Sequence, residues 1–439
     1  MSAEKPAPGA QQKRLAAYLE SLARAAGHAD RVKPLQLYCM GLLLPGERKS
    51  VEPMAARLAP DNVRRLHQSL HHLVADAPWN EGVLLERMRA YVLPAMQSQG
   101  RVVAWIIDDT SFLKRGTHSV GVARQYCGEV GKQENCQVAV SLSISTKQAS
   151  LPIAWRLYLP ESWAGDEQRR HSAGVPEQIR FQTKSVLALQ QVEQAFQAGI
   201  SPAPILADAW YGRDHQFREG LSQLGLTYVV GILEATSVWR PGQRPLPSKA
   251  WSGKGPRPKL LRRDAQHQPL SVKELALSLP NTLWKQVTWR EGSQRKLRSR
   301  FAAVRVRPSY LDDRRAAPHP EEWLLVEWPV RETEPVRYWL SNLPANAKLA
   351  ELVRLAKHRW VIERDYQELK QELGLGHYEG RSWRGFHHHA ALCIAAYGFL
   401  VAERSRFSPS ARAGQLELRA PALPSDFRPR GSSHSGRAA

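Results

Sequence analysis

The chain has 439 residues, 43% of them hydrophobic, so it is long enough for two or three cores and ordinary enough in composition to fold. Its 62 Lys and Arg against 41 Asp and Glu leave a formal net charge of +21, a surplus that suits a polyanionic partner, nucleic acid before a membrane surface. No run approaches the roughly 18–20 apolar residues that cross a bilayer, the polar start MSAEKPAPGAQQKR is no secretory signal, and Cys39, Cys127, Cys136 and Cys393 lack metal-ligand spacing and read as reduced thiols.

Residues 1–96 read as a helical, DNA-binding domain: RLAAYLESLARAAG, VEPMAARLAP and NVRRLHQSLHHLVADA carry apolar residues at helical spacing. From Arg101 the period changes. RVVAWII, CQVAVSLSIS and LPIAWRLYLP predict three buried strands, the first ending at Asp108 and Asp109. PEQIRFQTKSVLALQQVEQAFQAG predicts a long helix, APILADAWYG a strand and loop, RDHQFREGLSQLG a helix and TYVVGI a strand. These fill 97–232, the first part of a mixed α/β core. Residues 233–332, dense in Trp, Pro, Arg and Lys, read as a β-rich basic insertion. VRYWLSNLP returns the chain to the core in 333–404, a single helix from about Leu349 to Leu373 follows, then the apolar helix HHHAALCIAAYGFLVAERSR. The Pro, Ser, Arg and Gly of 405–439 read as a disordered tail.

Three carboxylate positions stand out. Asp108 and Asp109 close the first strand, and since neighbouring strand side chains point to opposite faces, only one serves a given site. Asp208 closes a second apolar strand, where open α/β sheets gather ligands. Glu363 lies four residues after Arg359 and seven before Lys370; at about 100° per residue the offsets are roughly −40° and −20°, one face of one helix. Each alone fits turn chemistry or a solvated charged stripe. Together they form the oxygen-ligand set that suits Mg²⁺ or Mn²⁺ in phosphodiester chemistry, with Arg359 and Lys370 as phosphate clamps.

With these residues in place the sequence resembles the DDE-superfamily transposases of bacterial insertion sequences. Those with a β-rich insertion carry Y-x2-R-x3-E-x6-K on the Glu helix; Arg359, Glu363 and Lys370 match in residue and spacing, and Ala356 stands at the Tyr position. DDTSF and ADAWYG resemble the first and second Asp blocks, YWLSNLP the strand before the Glu helix, and the likeness covers about residues 30 to 400. The resemblance implies a ribonuclease-H-like mixed-sheet core interrupted by the β-rich insertion. It also implies catalytic metal ligands at Asp109, Asp208 and Glu363, with Asp108 as the alternative to Asp109, and two divalent ions, Mg²⁺ with Mn²⁺ as substitute.

The activity implied is cleavage at element ends and strand transfer into target DNA, by a dimer or larger assembly on double-stranded DNA in the bacterial cytoplasm, at the nucleoid. Arg359, Lys370, Arg381 and Arg384 are the candidate DNA contacts, with His387–His389 as further backbone contacts. Trp239, Trp251, Trp284 and Trp289 are candidates to stack on a flipped base, or core residues of the insertion. Two other readings remain: a catalytically silent DNA-binding protein, and a ribonuclease-H-like nuclease without strand transfer.

Overall fold

The computed structural model describes residues 8–291 and 296–406. Helices α1 (Pro8–Ala23), α2 (Ala29–Leu43), α3 (Val51–Leu58), α4 (Val63–Ala75) and α5 (Glu81–Gln97) open the chain. Strands β1 (Ala104–Leu113), β2 (Ala123–Cys127), β3 (Lys132–Ser145) and β4 (Ser150–Leu157) follow, then α6 (Glu161–Ala164), α7 (Glu167–Ser172) and α8 (Lys184–Gln197). Next come β5 (Ile205–Ala207), α9 (Ala209–Gly212), α10 (His215–Gln223), β6 (Tyr228–Ile232), β7 (Ser237–Trp239), β8 (Leu270–Ser271) and α11 (Val272–Ser278). The chain continues through β9 (Lys285–Glu291), β10 (Lys296–Pro308), β11 (Glu322–Glu327), β12 (Arg337–Ser341), α12 (Leu349–His358), α13 (Val361–Gln371) and α14 (Trp383–Arg406).

Two compact units share these elements, one drawn from residues 8–101, 109–182 and 363–406, the other from 102–108, 183–291 and 296–362. The seams run through β1 after Asp108 and through α13 before Glu363.

In the first unit β3 pairs antiparallel with both β2 and β4, and α14 packs along α5, β4 and α2. The approach is close enough that a Cβ on Gly398 would meet Met88 at 2.9 Å. α14 corrects the expectation that no segment matches a membrane span. Its 24 residues reach a mean hydropathy of 1.2 over an 18-residue window, and that window is entirely buried inside the protein. The helix runs to Arg406, two residues into the stretch read as tail; 407–439 lie outside the described residues.

In the second unit β1, β5 and β6 run parallel, and β6, β12, β11 and β10 continue antiparallel, with β9 and β7 also on β10. Parallel strands buried on both faces need continuous apolar runs, and Tyr228–Ile232 is buried throughout. The strands of 233–332 pack around Val238, Val272, Trp284, Val304 and Leu324, in one cluster with Ile232 of β6 and Tyr338 and Leu340 of β12.

Three local expectations are corrected. β1 does not end at its carboxylates but runs on through buried Thr110, Ser111 and Phe112. The helix expected from Pro176 begins at Lys184, because Thr183 accepts from the Val186 N–H and caps it there. The short strand β2 was not expected; its alternating exposure leaves no apolar run to find.

Candidate active site

β1 carries the first candidate carboxylates. Trp105 and Ile106 are level with Ile205 and Leu206 of the parallel neighbour β5. Asp208, two residues past Leu206, keeps an extended backbone (φ −78°, ψ −176°), so the register carries on and sets Asp108 level with Asp208 on the same face. Asp109, by alternation, points to the other face. Asp108 is half-buried, and Arg359 Nη1 donates to its Oδ2 at 2.6 Å.

Asp208 is positioned by its own backbone. Its Oδ1 accepts from the N–H groups of Trp210 (2.9 Å) and Tyr211 (3.3 Å), capping the single turn α9. Tyr211 is wholly buried, and Gly212 lies so close to β6 that a Cβ there would meet the Gly231 carbonyl oxygen at 1.9 Å. That contact is why the ADAWYG segment needs its glycine. Asp208 opens onto a cleft of about 410 Å³, which Gly231, Arg337, Trp339, Ala356 and Arg359 also line. Ala356, which stands at the Tyr position of the resembled motif, is therefore a wall of the Asp208 cleft and bears only a methyl group there.

The Glu segment departs from the expected single helix. α12 stops at His358, Arg359 and Trp360 form a turn, and α13 restarts at Val361. Arg359 therefore lies on the turn and Glu363 in the first turn of α13, rather than both within one helix. The one-face argument holds for Glu363 and Lys370, seven residues apart on α13. Glu363 is exposed. Lys370 Nζ donates to Ser111 O (2.7 Å) and Glu129 Oε2 (2.8 Å). α13 is tied down by Asp365, 2% exposed, which accepts from Ser150 Oγ (2.7 Å) and Tyr397 OH (2.9 Å); burial pushes its carboxyl up to about 7.

The remaining candidates separate by burial. Arg381 and Arg384 are exposed, and Arg384 Nη1 donates to Asp76 O at 2.7 Å. His387, His388 and His389 are buried, which corrects their reading as DNA backbone contacts. His387 accepts from Leu157 N–H, His388 stacks on Trp79 at 3.8 Å, and His389 bonds Tyr38 OH at 2.8 Å. Both His388 nitrogens face carbonyl oxygens, of Val74 (3.1 Å) and Trp79 (3.0 Å), which favours a charged ring. Burial outweighs this and pushes His388 down to about 4. Trp239 and Trp284 are core residues; Trp239 donates to Asp312 Oδ2 at 2.6 Å. Trp289 is half-buried and Trp251 exposed. Two exposed tryptophans beside the motifs were missed: Trp210, two residues after Asp208, and Trp360, whose ring lies 3.6 Å from the Arg290 guanidinium carbon. Adjacency to the motif residues was the signal that could have found them.

Residues 18–296 match the family described as DDE superfamily endonuclease. The chain belongs to that family. The ribonuclease-H-like reading of the core stands with it, in the parallel β1–β5–β6 strands and the antiparallel β3–β4 pair. The matched span holds Asp108, Asp109 and Asp208 and ends before Glu363, so Glu363 rests on its motif. A protein of Microchaete diplosiphon described as "Probable transposase for insertion sequence element IS701" is 29% identical over 206 residues, 46% of this chain. The aligned part spans 48% of that relative, about half its length.

The family implies divalent metal. Asp108 and Asp208 offer carboxylate oxygens, the donors Mg²⁺ prefers, level on neighbouring strands. No group of three or more His, Cys, Asp or Glu placed to hold an ion occurs among the described residues. The donor chemistry fits, and the side chains described stop short of a full ligand set.

Proposed function

We propose that this DDE superfamily member is a DNA transposase that cuts at the ends of a mobile element and joins the freed ends to target DNA. The observation that carries the reading is Asp208: a carboxylate within the span that matches the family, fixed by two backbone N–H groups at the mouth of a cleft that also holds the motif Arg359. Asp109, Asp208 and Glu363 are the proposed ligands of two Mg²⁺ ions, with Mn²⁺ as substitute; bound there, the metal would supply Lewis acidity and an activated nucleophile. Arg359, Lys370, Arg381 and Arg384 are the proposed contacts to double-stranded DNA, and the working form a dimer or larger assembly at the bacterial nucleoid. The IS701 relative supports the mobile-element part of the reading.

The strand register favours a second assignment of one ligand, Asp108 in place of Asp109. The test is nicking of DNA carrying the element's ends, with Mg²⁺, by Asp108→Asn, Asp109→Asn, Asp208→Asn and Glu363→Gln proteins. The last three should bind DNA in EDTA yet fail to cut. Activity kept in Asp109→Asn and lost in Asp108→Asn moves the ligand to Asp108. Cutting by Asp208→Asn or Glu363→Gln at the wild-type rate overturns the site. Joined products distinguish a transposase from a nuclease, and binding without any cutting identifies a silent DNA-binding protein.

A further inference from the structure

Trp210 is the residue of the Asp208 segment that its local packing leaves unexplained. Its neighbours on α9 are anchored: Tyr211 is fully buried, Gly212 lies against Gly231, and Arg218 donates to the Gly212 carbonyl. The Trp210 N–H itself is bonded to Asp208 Oδ1 at 2.9 Å, so the base of the side chain is as fixed as the carboxylate. The residue is nevertheless 48% exposed. The Arg213 guanidinium carbon lies 3.8 Å from its ring centroid and Lys184 Nζ 5.1 Å.

A lone exposed aromatic is unremarkable on a protein surface, and an arginine over an indole is a common way to shield one. Two cations converging on one open ring, on the turn that carries the candidate catalytic Asp, in a chain of net charge +21, call for a flat anionic occupant. A nucleotide supplies both properties: a base with a π-face, and phosphates that cations hold. A paired base inside a duplex shows its edge and not its face, so the occupant is unpaired.

We propose that Trp210, with Arg213 and Lys184, forms a stacking platform for an unpaired base of a DNA strand passing Asp208. The proposal rests on the DNA-acting function above and adds a binding residue to it. Stacking on an aromatic ring is worth about 1–3 kcal/mol per base, or roughly 5- to 150-fold in affinity. The probe is a fluorescein-labelled 20-nucleotide single strand titrated onto the full chain in EDTA, read by anisotropy, alongside a duplex of the same length. Trp210→Met, which keeps the reach and loses the aromatic face, should bind the single strand at least fivefold more weakly. Trp210→Phe should stay near wild type, and all three proteins should bind the duplex alike and melt at the same temperature. A 2-aminopurine strand should be quenched by wild type and less by Trp210→Met.

Equal single-strand affinity for wild type and Trp210→Met overturns the platform, as does an equal fall in the Phe and Met variants, which would mark the ring as a shield. Asp208→Asn nicking, measured separately with Mg²⁺, tells the two failures apart. If Asp208→Asn abolishes nicking while Trp210→Met binds normally, the platform alone falls. If Asp208→Asn cuts like wild type, the functional reading falls whatever Trp210 does.

Discussion

Gly212 and Gly231 are where a single atom decides whether the cleft exists. A Cβ on Gly212 would stand 1.9 Å from the Gly231 oxygen, and a Cβ on Gly231 2.8 Å from the Ala209 nitrogen. In both cases the obstacle is backbone, which cannot rotate away. Gly212→Ala must therefore push α9 off β6, at about 1–3 kcal/mol or more, and move Asp208 with it. A lowered melting temperature together with nicking near zero is expected; an Ala variant that melts and cuts like wild type would show that α9 has slack. The sequence made Asp208 and Gly212 visible but not their contact with Gly231, because that partner is set by strand pairing. The same holds for Asp108 and Asp109. Adjacency is legible, whereas the face each one takes follows from β5, almost a hundred residues away along the chain, as does the engagement of Asp108 by Arg359.

Among the elements, the parallel strands and α14 were legible because continuous apolar runs announce them, and β2 was not because it alternates at an edge. The break between α12 and α13 was hidden because no Gly or Pro interrupts LAKHRWVIERDY; Arg359 and Trp360 are instead engaged by Asp108 and Arg290. α14 has a measurable signature in its three histidines. Burial pushes His387 down to about 3 and His388 and His389 to about 4, against 6.5 in a free chain. As pH falls through 6.5 the unfolded chain takes up protons that the native rings refuse. Stability is thus complete above that pH and lost toward pH 4, at up to roughly 1.4 kcal/mol per ring per pH unit. Asp365 works in the opposite sense. Burial raises it from 3.8 to about 7, so its contribution is present below pH 3.8 and lost as pH rises through 7. Three rings outweigh one carboxyl, and the urea midpoint should drop between pH 7 and pH 5. A midpoint that holds steady or climbs would contradict neutral burial of the histidines.

For the whole molecule, charge was the most legible property and the most general in what it explains. A net +21 draws phosphate without regard to sequence, and the resulting binding is driven by counterion release. Affinity for an arbitrary duplex should fall about tenfold or more between ~0.05 and ~0.2 M salt, measured by anisotropy. A salt-insensitive affinity would remove electrostatics from the account of the partner. The composition of two interleaved units was not legible. The seams fall inside β1 and α13, within continuous elements, and only spatial proximity separates the parts.

The burial of α14 also has a consequence for biosynthesis. The wall against which α2 and α5 rest is the last helix among the described residues, so it leaves the ribosome well after them. Until Trp383–Arg406 emerges, the apolar faces of α2 and α5 that it covers lack that partner. A chain cut short before Trp383 should therefore lose the packing that α14 gives α2, α5 and β4, read as a lowered melting temperature.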